Sequence, residues 1–489
     1  MMLLLLLQLL PTAAAAWQVC DVTKHGAKGD NRTKDTAAIK AAIAACATDG
    51  GEILLPAPGK YLTGALNLSS NQLLRVEPGA ALLASQDVAD YPAVASFPSY
   101  EGSRDIPNST CRYGAVVGAV GATNVSIMGG GVIDGQGWHF WALVDANHVT
   151  PGTLNCSRPH LIEFENSSDI SLRDLTLQNS PFWTSHFIYS RRIHASELTI
   201  LAPATRGNTD GINPDSSTDI TIENCYISNG DDGIAIKSGL NAAGIAVGLP
   251  SANIFIRNVT TEGRGGIAIG SEMSGGVKNV TMENVRLLGQ RGVHMKTTRG
   301  RGGYIENITM INVEAKAGIQ LWSTYGSTVK DGPWPHVGNI TIINTSSSCS
   351  LGCGKLPSAY CDPKSFYYSN ACGHHGPPIP PPPPAPLLKL APCADAGAAS
   401  GGGLEAAEAA QEWSLVSDGS ATAGFIVSKS RTGVGSATTA FCVDVGRCQK
   451  QPETTPVHMF SVQEAMYQVR RKHGARTSLV QPAPFKSCW

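Results

Sequence analysis

Between residues 169 and 344 the chain repeats one short pattern of polar and apolar positions. It reads Asn or Asp, then Ile or Val, any residue, an apolar residue, any residue, and Asn or Asp again. The copies start at Asp169, Asp219, Asn253, Asn279, Asn307 and Asn339, and close five residues later at Asp174, Asn224, Asn258, Asn284, Asn312 and Asn344. From Asp219 onward they are 34, 26, 28 and 32 residues apart. Alternation within each copy is that of a strand. An irregular period of about 30 predicts a solenoid of short strands, because propeller blades of four strands need about 40 or more residues. A second apolar strand recurs after the repeats, as Gly233-Ile-Ala-Ile-Lys237, Gly266-Ile-Ala-Ile-Gly270, Gly292-Val-His-Met-Lys296 and Gly318-Ile-Gln-Leu-Trp322. The fold class is therefore all-β, a right-handed parallel β-helix with two or three strands per coil and Ile, Val and Leu pointing inward. The outer faces of its coils make a long groove suited to a polymer.

One clear helix is expected, Asp35 to Cys46. Ile39 and Ile43 lie four apart on its apolar face, and Asp35 or Thr36 serves as N-cap. It would cover the open end of the solenoid, where strand edges are otherwise exposed. Residues 1–16 read as a secretory signal: a Leu-rich core too short to span a bilayer, then small residues ending at Ala16. The solenoid domain is placed at 17–376, and a proline run at 377–386 forms a stiff linker. Residues 387–489 differ in composition and form a small appendage, partly disordered.

Composition narrows the class. The chain holds 53 glycines in 489 residues, which suits a turn-rich β protein. The net charge of −1 gives no global signal for nucleic acid or for a membrane surface. Thirteen cysteines fit an oxidising compartment. Cys349, Cys353, Cys361 and Cys372 read as a disulfide staple, with a zinc site as the alternative. His374-His375 reads as loop. Eleven Asn-x-Ser/Thr sites agree with secretion, but several fall on the repeat, where Asn at strand edges can stack into ladders. Fewer than half are expected to carry sugar.

The candidate chemistry lies in two glycine-flanked turns, Gly207-Asn208-Thr209-Asp210-Gly211 and Asn229-Gly230-Asp231-Asp232-Gly233. Asp210 and Asp231 are 21 residues apart, about one coil, so the turns should lie one above the other and bring three carboxylates to one patch. Glycoside hydrolysis by inversion needs one carboxylic acid to protonate the leaving oxygen and another carboxylate to activate a water. Crowded carboxylates also raise one another's pKa. Isolated Asp beside Gly would otherwise read as turn capping.

These two turns, with Gly270-Ser-Glu-Met-Ser-Gly-Gly276 and Lys296-Thr-Thr-Arg-Gly-Arg-Gly-Gly303, resemble the polygalacturonases, glycoside hydrolase family 28, in their plant-type branch. The opening His25-Gly-Ala-Lys-Gly-Asp30 is similar to the start of many pectin-active β-helix proteins. The resemblance covers roughly residues 18–345. It implies that Asp231 is the general acid, that Asp210 and Asp232 hold and deprotonate the water, that Lys296 binds a galacturonate carboxylate, and that Asn208 orients the site; Arg299 joins the substrate-binding set. No cofactor and no metal are expected. Two positions depart from the family. Arg264 stands where the family has a histidine, and His294 where it has an arginine; the departures bear on affinity for galacturonate more than on bond breaking, and an exchange of roles across adjacent coils is one alternative. With an ordinary pKa near 6.5, His294 would be protonated at the mildly acidic pH of a cell wall.

The resemblance implies a secreted, monomeric hydrolase of α-1,4-galacturonosyl linkages, with a polysaccharide substrate and no membrane contact once the signal is removed. Another pectic polymer of the rhamnogalacturonan type, a pectate lyase and a non-catalytic carbohydrate-binding protein are the alternatives. Gln411-Glu-Trp413 and Cys442 to Cys448 are similar to parts of a ricin-type lectin trefoil. Endo or exo action depends on loops at the groove ends.

Overall fold

A computed structural model describes residues 17–326 and 331–372, and the backbone of 412–417 and 424–429. The chain divides into two compact units, Met1–Ile379 and Pro380–Trp489. In the second, the described residues form one antiparallel pair, Glu412–Ser417 with Gly424–Lys429. The signal segment, the proline run, His374-His375 and the Cys442–Cys448 loop lie outside the described residues. No described helix is long and apolar enough to cross a membrane.

The first unit is a parallel β-helix. Its short-strand sheet runs through ten coils, labelled here β1 (Leu66–Leu68), β2 (Val117–Val120), β3 (Ile162–Glu165), β4 (Ser185–Ile188), β5 (Ile212–Asp215), β6 (Ile234–Ile236), β7 (Ile267–Ile269), β8 (Val293–Lys296), β9 (Ile319–Trp322) and β10 (Cys349–Ser350). Each pairs in parallel with the next. The other sides of the coils form a second stack of strands, in which Ile170, Ile193, Ile220, Ile254, Val280, Ile308 and Ile340 occupy one register position. All seven are buried, as are Ile212, Ile234, Ile267, Val293 and Ile319 across the short strands. The core is thus a set of aliphatic columns in which each residue stacks on its counterpart one coil away.

The polar ends of the repeat are the corners of the coil. All twelve residues that open or close a copy have positive φ, between 49° and 60°. Left-handed backbone costs an ordinary L-residue about 1–2 kcal/mol, and Asn and Asp tolerate it best. Corner side chains then bond along the stack. Asn253 Nδ2 donates to Asp219 Oδ1 (2.9 Å), Asn279 to Asn253 (3.0 Å) and Asn307 to Asn279 (3.1 Å). The opposite corner has the same arrangement, from Asn258 to Asn224 and from Asn312 to Asn284. Three of these ladder donors, Asn258, Asn279 and Asn307, are also Asn-x-Ser/Thr sites.

The expected helix is α1 (Thr36–Ala45), with Ile39, Ala42 and Ile43 buried against the first coils. Its start differs from expectation. Asp35 makes no capping bond; its carboxylate accepts the amides of Lys28 (2.6 Å) and Gly29 (3.0 Å), while Thr36 Oγ1 accepts from Gly64. Both side chains are spent on fixing neighbouring loops rather than on the helix. Disulfides pair Cys20 with Cys46, Cys111 with Cys156, Cys349 with Cys372 and Cys353 with Cys361. The last two make the four-cysteine cluster a disulfide staple. Two further helices, α2 (Trp138–Val149) and α3 (Asn241–Val247), lie in the connections.

Asn279, bonded on both sides and at φ 55°, gives a direct test of the corners. Asn279→Ala should lower the unfolding free energy by roughly 1–2 kcal/mol in denaturant titration, and Asn279→Gly should lose less, since glycine carries no penalty at that φ. Equal losses would mean that the corner conformation is not what Asn supplies.

Candidate active site

Two turns that precede neighbouring short strands are locked together by Thr209 and Asn229. Asn229 Nδ2 donates to the carbonyls of Thr209 (2.8 Å) and Asp232 (2.9 Å), and the Gly230 amide donates to Thr209 Oγ1 (3.1 Å). The coils approach so closely here that a Cβ on Gly230 would stand 2.1 Å from the Arg206 carbonyl. Sheet register then sets the side chains. Ile212, Ile234, Ile267 and Val293 are successive partners. Two residues before each of them stand Asp210, Asp232, Gly265 and Arg291, so these four share one column. Gly265 contributes no side chain, which leaves room for Arg291 to reach across one coil to Asp232.

Arg291 Nη1 contacts Asp231 Oδ1 and donates to Asp232 Oδ1 at 2.8 Å. Lys296 Nζ donates to Asp232 Oδ2 at 2.6 Å. Asp231 also accepts the Asn208 amide on Oδ2 (2.9 Å) and the Asp232 amide on Oδ1 (3.0 Å). Lys237 Nζ lies 3.2 Å from Asp210 Oδ2 and 3.5 Å from Glu272 Oε2, and Arg104 pairs with Glu272 as well. The structure thus brings Asp210, Asp231, Asp232, Asn208 and Lys296 together, and adds Arg291, Lys237, Glu272 and Arg104, which the motifs did not single out. Lys237 and Glu272 stand inside quoted segments, and Arg291 could have been found by counting register. Arg104 carries no periodic signal.

The three carboxyls differ in environment. Asp231 is the most accessible, its side chain 21% exposed, against 5% for Asp210 and 7% for Asp232. Burial pushes Asp210 up to about 7, against the pull of Lys237 and with the negative Asp231 and Asp232 adding to the rise. Lys237 is held firmly charged more by Glu272 than by Asp210. Burial acts upward on Asp232 too, but Lys296 and Arg291 outweigh it and hold Asp232 below the usual carboxylate range. Burial thus favours the protonated form of Asp210 and the two cations favour the ion at Asp232, a separation that acid–base chemistry uses.

The remaining expected residues lie elsewhere. Arg264 is exposed, and its side chain makes no hydrogen bond or ion pair among the described residues; its amide donates to the Asn229 carbonyl. His294 is buried and stacks on Trp322, with ring centroids 4.5 Å apart, and its Nδ1 has no partner. Burial, aided by Lys296, pushes His294 down to about 4, so it is neutral at the pH of a cell wall, contrary to expectation. The guanidinium that meets the carboxylates belongs to Arg291, not Arg264. Arg299 turns toward the loop at 331–334, donating to the Gly332 carbonyl and lying 5.1 Å from the Trp334 ring.

The sequence profile of glycosyl hydrolases family 28 matches residues 103–327. A probable polygalacturonase of Vitis vinifera is 41% identical over 62% of this chain and 62% of its own length. An endo-polygalacturonase of Pectobacterium parmentieri is 32% identical over 59% of this chain and 71% of its own. The chain belongs to glycosyl hydrolases family 28. Among solved structures, a hyperthermoactive exopolygalacturonase from Thermotoga maritima is 28% identical, with a TM-score of 0.59 over 69% of this chain and 82% of that one. The parallel β-helix is thus the architecture that family 28 would lead one to expect. The chain spans 62% of the length of the Vitis relative.

Two outcomes test the electrostatics of the family-28 site. Arg291→Ala leaves two adjacent carboxylates without their shared guanidinium and should cost on the order of 3 kcal/mol near pH 7, less at acid pH where the carboxyls take up protons. Denaturant titration at two pH values measures it, and an unchanged stability would show that Arg291 does not hold the pair. For Asp210, folding raises the pKa, so the folded state binds more protons than the unfolded one between about 4 and about 7. Stability from this group is complete below about 4 and is lost as pH rises through about 7. Relative to Asp210→Asn, the wild-type melting temperature should therefore fall across that window.

Proposed function

We propose that the chain is a secreted glycoside hydrolase that cleaves α-1,4-galacturonosyl linkages of pectin with inversion. The observation that carries this reading is the trio of carboxyls on adjacent coils, in which the accessible Asp231 stands beside the buried Asp210 and Asp232. Asp231, the most accessible, protonates the leaving oxygen. Asp232 takes a proton from the attacking water, and Asp210 holds that water. Proton donation by Asp231 requires Arg291 to leave it, and the carboxylate of an incoming uronate gives Arg291 another anionic partner. Lys296, Asn208, the exposed Arg264 and Arg299 bind the polymer. The polygalacturonase names of the relatives support this substrate. The Leu-rich leader of residues 1–16 and the four disulfides of the first unit support export. A monomer suffices, since every group named comes from one chain.

The raised pKa of Asp210 favours a second assignment, in which Asp210 is the acid and Asp231 handles water with Asp232. The test is release of reducing ends from polygalacturonic acid at a pH of about 5, with chelator present, by wild type, Asp231→Asn and Asp210→Asn. Both variants should lose at least about a hundredfold in rate. An aryl galacturonide with an acidic phenol as leaving group needs little protonation, so the variant lacking the acid should recover activity on it. Recovery is expected for Asp231→Asn; recovery for Asp210→Asn alone would reverse the assignment. Folded wild type that releases nothing would shift the reading to another pectic polymer or to binding alone.

A further inference from the structure

The outward face of β1 to β10 is expected to be a long groove, with loops deciding whether its ends are open. It is covered on one side of the carboxylates. Along β3, β4 and β5 the outward positions Glu163, His186, Asn213 and Asp215 are all less than 5% exposed. The chain from Ser96 to Arg112 lies over them. Phe97 meets the His186 ring edge-on, with centroids 5.3 Å apart, and Arg112 stacks on Phe97 at 3.9 Å while pairing with Glu163 and Glu165. The Tyr100 hydroxyl bonds to Asp215, the last residue of the strand that Asp210 precedes. The segment is fastened further by the Ser99 amide on Tyr189 Oη (3.0 Å), by the Leu240 amide on the Ser99 carbonyl (2.9 Å) and by the Cys111–Cys156 disulfide.

His160, Glu163 and His186 beneath this segment lie close enough to hold a metal ion. Their partners already balance them: His160 Nδ1 is on Glu163 Oε2, His186 Nε2 on Asp215, and the Arg112 guanidinium occupies the other Glu163 oxygen. A fixed cation on the carboxylate opposes a second one, so the cluster serves as the footing of a wall.

On the other side of the carboxylates the outward positions Ala268, His294 and Lys296 are buried as well, and accessible side chains stand beside them. Arg264 before β7 is exposed and Trp322 at the end of β9 is 39% exposed. Between the wall and Asn208 lies a cavity of about 350 Å³, lined by Arg104 to Pro107 from the covering segment and by Val144, His148 and Asn208. α2 supplies Val144 and His148 and is tied to the first carboxylate turn by the Asp145–Arg206 pair (2.7 Å). Arg104 is a third exposed, and its planar guanidinium has more N–H donors than Glu272 uses.

We propose that the segment from Ser96 to Arg112 makes the site a dead end, which takes the terminal uronate of a chain in the cavity beside Asn208, with Arg104 meeting its carboxylate, and leaves the rest of the polymer over β7 to β9. This rests on the hydrolase reading above and adds the mode of attack. Each event consumes one water: its oxygen joins the anomeric carbon, one of its protons goes to a carboxylate, and the glycosidic oxygen leaves with the proton of the acid. The products are one monosaccharide and a chain shorter by one.

The test follows product size and viscosity while the full chain acts on polygalacturonic acid. Monosaccharide should be the main small product from the first time point, with viscosity falling far more slowly than reducing ends rise. Phe97→Ala should open the wall and raise the share of dimers and trimers several-fold, and Tyr100→Phe, which removes only the bond to Asp215, should shift it less. If Phe97→Ala does not fold, the wild-type product profile decides alone. An active wild type that gives oligomers of mixed length at once, with steep loss of viscosity, overturns the dead end and leaves the hydrolase reading intact. A folded protein that releases no reducing ends overturns both.

Discussion

Parallel stacking in strict register is the constraint on which the rest of this molecule depends. Each coil must turn at the same place as its neighbour, or the aliphatic columns inside lose their contacts. Asn and Asp at positive φ fix those turns, and their side chains bond from corner to corner. Once register is fixed, any residue a set number of places from an inward-pointing aliphatic residue falls into a column. Asp210, Asp232 and Arg291 meet for this reason, although 81 residues separate the first from the last. Insertions of different length between the strands do not disturb the column, because register is set by the strands themselves.

The site built on this column holds equal numbers of acidic and basic side chains. Asp210, Asp231, Asp232 and Glu272 are matched by Arg104, Lys237, Arg291 and Lys296, each cation within ion-pair distance of at least one carboxylate. Burying four carboxylates without those partners would cost several kcal/mol for each unmatched ion. The same pairing keeps the side chains in place without a ligand. It also means that an anionic ligand would have to exchange partners with the carboxylates rather than simply fill open cationic positions, and in the pair of Arg291 with Asp231 both side chains are partly accessible, 19% and 21% exposed.

The solenoid was legible in the sequence because its two signals, apolar alternation and corner Asn or Asp, are local and repeated. The carboxylates were legible because two of them are adjacent and all sit in glycine-flanked turns. Arg291 was hidden one residue outside a recognised strand, Gly292 to Lys296, and is revealed only when that strand is aligned with β5 and β6. Arg104 and the covering segment from Ser96 to Arg112 had no such route, since they belong to a connection without period and reach the site by tertiary packing. Asp35 shows the converse limit. A residue with the chemistry of a cap stands at the cap position, yet its carboxylate accepts amides of the loop before it, and nothing in a short window separates these uses.

Arg264 and His294, both expected at the site from the sequence, have different surroundings in three dimensions. His294, buried between Lys296 and Trp322, has lost its charge to burial and presents an aromatic ring with one unpartnered nitrogen. It packs against Trp322 as a neutral ring and is not a receptor for an anion. Arg264, one coil from Asp231, is exposed and makes no internal ion pair among the described residues. Arg291 supplies the guanidinium next to the carboxylates. A guanidinium thus stands at the turn before β7 and another at the turn before β8, while β8 itself carries Lys296. A polymer held at those turns would still pass over the accessible Trp322, so attraction at the turn and stacking on the strand fall on different sugars.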